Sequence, residues 1–219
     1  MLPFRKVQTP VAIKIHHPLS TSFLFTLCFT FLVAAAGAAS NPKPTTPAQD
    51  QKAPARPLNL EGIEVDPFST SNATAFVFVF VGTECPISNR YAPEVRRLQE
   101  RFSSRGVQFW IVYPDPDVTA AQVRQHLHDY SLPAQAARDP AHWLVAKCKA
   151  QVTPEAAVFT ASSQLAYHGR IDNRVADFGR ERPAPTQHDL QDAIEAVLAG
   201  KKPANKTLTA VGCRIPDLR

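Results

Sequence analysis

The run Ala75-Phe76-Val77-Phe78-Val79-Phe80-Val81 contains no polar residue. Its β-branched and aromatic side chains do not alternate with polar ones, so both faces need cover. That pattern belongs to a strand in the interior of a sheet, with helices packed above and below. The run stops at Gly82-Thr83-Glu84-Cys85-Pro86. A helix follows, with apolar positions Ile87, Tyr91, Val95, Leu98 and Phe102 spaced by three or four. A cysteine therefore stands where a buried strand hands over to a helix.

The rest of the chain extends this alternation. Gly106 closes the helix, and Val107-Gln108-Phe109-Trp110-Ile111-Val112-Tyr113 reads as a second strand stopped by Pro114 and Pro116. Thr119 and Gln122 have capping-box spacing for a helix carrying Val123, Leu127 and Tyr130. Asp139-Pro140 supplies an N-cap and a first-turn proline for a short helix through Trp143 and Leu144. After Thr153-Pro154, the segments 156–160 and 165–169 read as a hairpin around a polar turn. A last helix starts near Thr186, with Leu190, Ile194, Val197 and Leu198 as its stripe and Gly200 beyond its end. The order β-α-β-α, short helix, β-β-α argues a mixed central sheet with helices on both faces.

Composition narrows the class. The chain has 219 residues, 44% hydrophobic with 13 Phe, which is enough for a core and excludes wholesale disorder. Eight Gly without a strict repeat exclude a collagen-like chain. Residues 1–39 read as a signal peptide. Arg5, Lys6 and Lys14 precede a charge-free apolar run from Leu19, which exits through Ala36-Gly37-Ala38-Ala39. An uncleaved signal anchor is the other reading of the same segment. Cys28 lies inside the run and leaves with it on cleavage. Loss of the three cations lowers the formal charge from +5 to +2. Nucleic-acid binding then has no electrostatic footprint. Residues 40–57, with Pro42, Pro44, Pro47, Pro54 and Pro57, form a linker, residues 58–200 the domain, and residues 201–219 a tail. The expected destination is the periplasm or the exterior, where thiols oxidise.

Cys85, Cys148 and Cys213 remain, an odd number for an exported protein. A helix N-terminus carries partial positive charge and free N–H groups, which favour a thiolate. This predicts a Cys85 pKa below the free-thiol value of about 8.5. Glu84 acts in the opposite direction. An inert buried cysteine at a strand end is the bland alternative. Ser88, one turn into the helix, is within reach of the sulfur, and Pro93 inside the helix predicts a kink.

Cys85-Pro86-Ile87-Ser88, Ala92-Pro93 and Thr153-Pro154 before a hairpin together resemble the thioredoxin-like superfamily. The resemblance covers residues 58–200 and implies a three-layer α/β/α fold. It implies that Cys85 is the attacking thiol, that Ser88 takes the resolving-cysteine position, and that Pro154 is a cis-proline against the nucleophile. With Ser88 in place of a cysteine, the family's intrahelical disulfide cannot form. The peroxiredoxin signature places a Thr three residues before its Cys, whereas Thr83 is only two before Cys85. The copper-delivery type uses C-x-x-x-C plus a distal His. Asn89 holds the second cysteine position here, although His168 is available.

A lone thiolate stalls as a mixed disulfide until a second thiol attacks it. Cys213 in the tail is one internal candidate, and Gly212 permits an unusual turn beside it. A structural staple and a free surface thiol are the other readings of Cys213. Cys148 is the second candidate, with Lys147 and Lys149 suggesting exposure. The charged segment 170–182 is either solvated surface or a docking face. The expected function is thiol–disulfide exchange with a protein or small-molecule partner, without cofactor or metal. A non-catalytic thioredoxin-like binding module is the rival class.

Overall fold

The computed structural model describes residues 56–218. The proposed leader, nearly all of the Pro-rich segment and Arg219 lie outside the described residues. The strands are β1 (Ala75–Phe80), β2 (Val107–Tyr113), β3 (Ala136–Arg138), β4 (Val152–Thr153), β5 (Glu155–Thr160), β6 (Leu165–Gly169), β7 (Val175–Asp177), β8 (Arg180–Glu181), β9 (Thr207–Leu208) and β10 (Cys213–Arg214). The helices are α1 (Pro86–Ser103), α2 (Ala120–Asp129), α3 (Trp143–Cys148) and α4 (Asp189–Leu198).

β1 lies inside a six-stranded sheet of order β3-β2-β1-β5-β6-β9, parallel to β2 and antiparallel to β5. All six of its residues are buried. Ala75, Val77 and Val79 face Tyr91, Val95, Leu98 and Phe102 of α1 and Leu190 and Ile194 of α4. Phe76, Phe78 and Phe80 face Leu144 and Val145 of α3. The unbroken apolar run thus serves two cores, and each fully buried Phe or Val contributes about 1.5–3 kcal/mol. The result is the three-layer, thioredoxin-like α/β/α fold with a mixed central sheet.

Local signals behave as their chemistry dictates, with two exceptions. The capping box of α2 forms: the Gln122 N–H donates to Thr119 Oγ1, and the Thr119 N–H donates to Gln122 Oε1. α1 is continuous, with Pro93 inside it. The short helix α3 begins at Trp143, later than Asp139-Pro140 suggested, because His142 adopts a left-handed φ of 58°. Asp139 caps it nonetheless from the preceding loop, accepting from the Trp143 and Val145 N–H groups at 2.9 Å each. α4 begins at Asp189, and Thr186 does not open it. The Asn173 side chain takes the Thr186 and Gln187 amides and holds them in the loop. The short strands β3, β4, β7, β8, β9 and β10 carry no sequence signature of their own.

Asp139 is fully buried and satisfies two helix-terminal donors. Asp139→Ala should lower stability by about 2 kcal/mol, since one buried and one part-buried N–H group lose their acceptor. Urea denaturation followed by circular dichroism checks this, and a loss under about 0.5 kcal/mol would refute the capping role.

Candidate active site

β1 delivers the chain into Val81-Gly82-Thr83-Glu84, and Cys85 is the N-cap of α1 with φ −81° and ψ 110°. Pro86 occupies the first turn, where a missing N–H costs nothing. Gly82 keeps this turn narrow. A Cβ there would sit 3.2 Å from both Cys85 Cβ and Thr153 Oγ1.

Thr153 belongs to β4 and precedes Pro154 through a cis peptide bond. Its carbonyl oxygen lies 3.1 Å from Cys85 Sγ, which donates to it as the thiol. β4 pairs antiparallel with β10, setting Cys213 opposite Thr153 and Arg214 opposite Val152. This pairing brings the tail onto the site. A Cβ on Gly212 would fall 2.2 Å from the Thr153 carbonyl oxygen, so only glycine allows that approach. The Ile215 N–H donates to the Gln151 carbonyl at 3.1 Å, and the Ile215 side chain is buried. Cys213 Sγ lies 2.7 Å from Cys85 Sγ and donates to it. All three described cysteines are free thiols.

The two sulfurs differ. Cys85 is only 4% exposed, and Cys213 is half-buried. Burial alone would raise the Cys85 pKa. Hydrogen bonds from Cys213 and Ser88 outweigh it and bring the value from 9.0 to about 7. Ser88 is itself buried and accepts from the Gly82 N–H at 3.3 Å. Burial and the bond to Cys85 push Cys213 the other way, to about 11. Glu84 points to solvent and is not among the groups that move the Cys85 thiol.

Residues that sequence reasoning passed over support this arrangement. Buried Glu155 directly follows Pro154. Its Oε2 accepts from the Gln151 and Val152 N–H groups at 2.8 and 3.3 Å, which fixes the backbone of β4. Its Oε1 is 3.5 Å from His168 Nδ1, and His168 Nε2 meets Thr207 Oγ1 at 3.1 Å. Both imidazole nitrogens of His168 are thus engaged. Asn89, one turn beyond Cys85, contacts buried His126 at 2.8 Å and donates to the Tyr130 hydroxyl at 2.9 Å and the Thr83 carbonyl at 3.3 Å. His126 also bonds Tyr113 at 2.8 Å. The network ties the 82–85 turn to α2. The Pro-Glu step was a readable cue for Glu155, whereas nothing local in the sequence marks His126.

Two expectations need correction. Cys148 is not exposed. It ends α3 with 0% exposure inside the Phe-rich core, because α3 turns its Lys147 and Lys149 neighbours outward and Cys148 inward. Burial raises its pKa well above the ordinary thiol range. The charged segment 170–182 is divided: 171–173 and Val175 are buried and brace the fold, whereas 176–182 are exposed surface as expected. Arg170 pairs with Asp189 at 2.7 Å, Arg90 with Glu181, and Tyr91 donates to buried Asp172 at 2.5 Å.

A groove of about 380 Å³ opens over the two sulfurs, with Glu84, Asp115, Asp117 and Arg214 on its rim. This fold, with a cysteine capping the first helix beside a cis-proline, defines a thioredoxin-like protein. The chain belongs to the Redoxin family, which it matches over residues 48–179. No curated protein matches it. Among solved structures, it is similar to a hypothetical protein from Sinorhizobium meliloti 1021, with 20% identity, TM-score 0.61, and coverage of 73% of this chain and 88% of that one. It is also similar to an uncharacterized conserved protein from Geobacillus kaustophilus, with 20% identity, TM-score 0.62, and coverage of 75% and 92%. A secreted Mycobacterium tuberculosis disulfide oxidoreductase aligns with 16% identity, TM-score 0.44, and coverage of 66% and 93%.

The opposed shifts predict the pH behaviour of the reduced protein. Cys85 alkylation by iodoacetamide should rise with pH around a midpoint of about 7. Ser88→Ala and Cys213→Ala should each move that midpoint upward. Between pH 7 and 9 the folded protein lacks a proton that the unfolded chain retains, so stability should rise with pH. Between pH 9 and 11 Cys213 holds a proton that the unfolded chain loses, so stability should fall. Urea titrations of the reduced protein against the Cys85→Ser, Cys213→Ser double variant check both signs. A flat difference curve would exclude the coupled pair.

Proposed function

We propose that the chain is an exported thiol–disulfide oxidoreductase in which Cys85 attacks and Cys213 resolves. The observation that carries this reading is the 2.7 Å approach of Cys213 Sγ to a Cys85 sulfur whose pKa is lowered to about 7. The Cys85 thiolate forms a bond to one sulfur of a substrate disulfide, and the other leaves as a thiolate. Cys213, deprotonated by that thiolate or by water, then attacks Cys85 Sγ. The substrate's second sulfur departs, and a Cys85–Cys213 disulfide remains. The substrate gains two electrons and the protein loses two. Ser88 steadies the Cys85 charge, and Pro154 and Thr153 shape the wall beside it.

The substrate sulfur must take the place that Cys213 holds in the resting protein, so β10 lifts from β4 during attack. The ladder there is two residues long. An exported setting accords with the apolar leader at 1–39 and with a pair that must cycle through a disulfide. Among the described residues, no helix is long and apolar enough to cross a membrane. The engagement of Asn89 with His126, and of His168 with Glu155 and Thr207, favours thiol chemistry over copper delivery.

Oxidation of the purified protein with diamide should give one intramolecular bridge, Cys85–Cys213, by peptide mass mapping. Cys85→Ser should reduce a disulfide-bonded peptide no faster than buffer. Cys213→Ala should accumulate a mixed disulfide at Cys85. A Cys148–Cys213 bridge, or full activity in Cys85→Ser, would sink the reading.

A further inference from the structure

The disulfide formed by this pair has two sulfurs in unequal surroundings, and regeneration must choose one. Resting on the reading above, we propose that the thiol that reduces the Cys85–Cys213 disulfide attacks Cys213 and expels Cys85. The two directions of exchange then use different sulfurs: substrate disulfides meet Cys85, and reducing thiols meet Cys213.

Access is the first reason. Cys85 is enclosed by Gly82, Ser88 and Thr153 on the protein side, with 4% exposure. Both cysteines line the groove, but Cys213 is half-buried where Cys85 is almost inaccessible. An incoming thiolate approaches along the S–S axis from behind the sulfur it attacks. The greater exposure of Cys213 favours that approach over one at Cys85.

Mobility is the second reason. Cys85 caps an 18-residue helix whose first turn is braced through Asn89 and Ser88. Cys213 sits on a two-residue strand held by β4 and by the Ile215 side chain. Once the bond opens, the tail can swing outward carrying its new partner, whereas the helix cannot. The fate of the leaving sulfur is the third reason. Cys85 departs into a hydrogen bond from Ser88 at a helix N-terminus, which stabilises its charge.

The thiolate RS⁻ forms a bond to Cys213 Sγ. The Cys85–Cys213 bond breaks, and its electron pair goes to Cys85 Sγ. A second thiolate then attacks the R sulfur of the mixed disulfide. It releases Cys213, which takes a proton, and yields RSSR. Two thiols are oxidised and one disulfide is reduced.

The test starts from the diamide-oxidised full chain. A brief pulse of glutathione is quenched in acid, free thiols are capped with maleimide, and the adducts are mapped by peptide mass. Glutathione on Cys213 with maleimide on Cys85 should exceed the reverse pattern by about ten-fold. A second arm uses reduced thioredoxin with its resolving cysteine replaced; it should be trapped on Cys213 as well. The relative rates of the two arms show whether small or protein thiols are the better reductant. Equal distribution, or a majority of adducts on Cys85 in either arm, would overturn the assignment while leaving the oxidoreductase reading intact. Absence of any Cys85–Cys213 bridge after diamide would overturn both. As an independent measure, Ser88→Ala should slow the first reduction step by about three-fold or more, because Cys85 becomes the poorer leaving group. An unchanged rate counts against expulsion of Cys85.

Discussion

The pairing of Cys213 with Thr153 is the contact on which the site rests. Two ladder residues bring a thiol from the chain's end onto a thiol 128 positions earlier. The contact requires a particular surface on each side. Gly212 removes the side chain that would strike the Thr153 carbonyl. Glu155 takes the amides of Gln151 and Val152, so β4 is held from behind while its outer edge receives the tail. Thr153 then has a double role. Its amide plane carries the tail, and its carbonyl meets the Cys85 sulfur.

From that contact follows the electrostatic division between the sulfurs. Both are removed from water, and burial alone would raise both pKa values. Two thiolates this close would repel strongly, so one proton is retained between them. Ser88 decides which sulfur keeps the charge, because it adds a hydrogen bond to Cys85 and none to Cys213. A one-residue argument about Cys85, built on the helix terminus opposed by Glu84, reaches the right direction with an incomplete cause. The larger influence comes from a residue in the tail.

This is also where legibility in the sequence ends. The interior strand 75–81, the helix after Cys85, the capping box at Thr119 and the hairpin at 156–169 were readable, because each is set by side chains within about ten residues. The cysteine at the strand–helix junction and the Thr-Pro step were readable for the same reason. The β4–β10 ladder and the Asn89–His126–Tyr113 network were not, since each joins segments distant in sequence. Cys148 shows the failure most clearly. Flanking lysines suggest a surface thiol, but a six-residue helix can turn one face wholly into the core while its neighbours reach water. α4 begins three residues beyond Thr186 because Asn173, thirteen residues away, holds the Thr186 and Gln187 amides in the loop.

The same contacts explain why the tail stays docked when no covalent bond holds it. All described cysteines are free, yet β10 lies on β4 with the sulfurs in contact. What retains it is backbone pairing and burial of Ile215 in the cluster formed by Phe76, Phe78, Leu144 and Cys148. Burying one Ile contributes about 1.5–3 kcal/mol, and a ladder bond about 1 kcal/mol. Forces of that size keep the tail in place most of the time and still allow it to open. In the proposed cycle, Cys85 is therefore shielded at rest, uncovered when the tail opens, and close to the thiol that would resolve it. Cys148 belongs to the same buried cluster as Ile215. Its burial keeps it out of the proposed exchange.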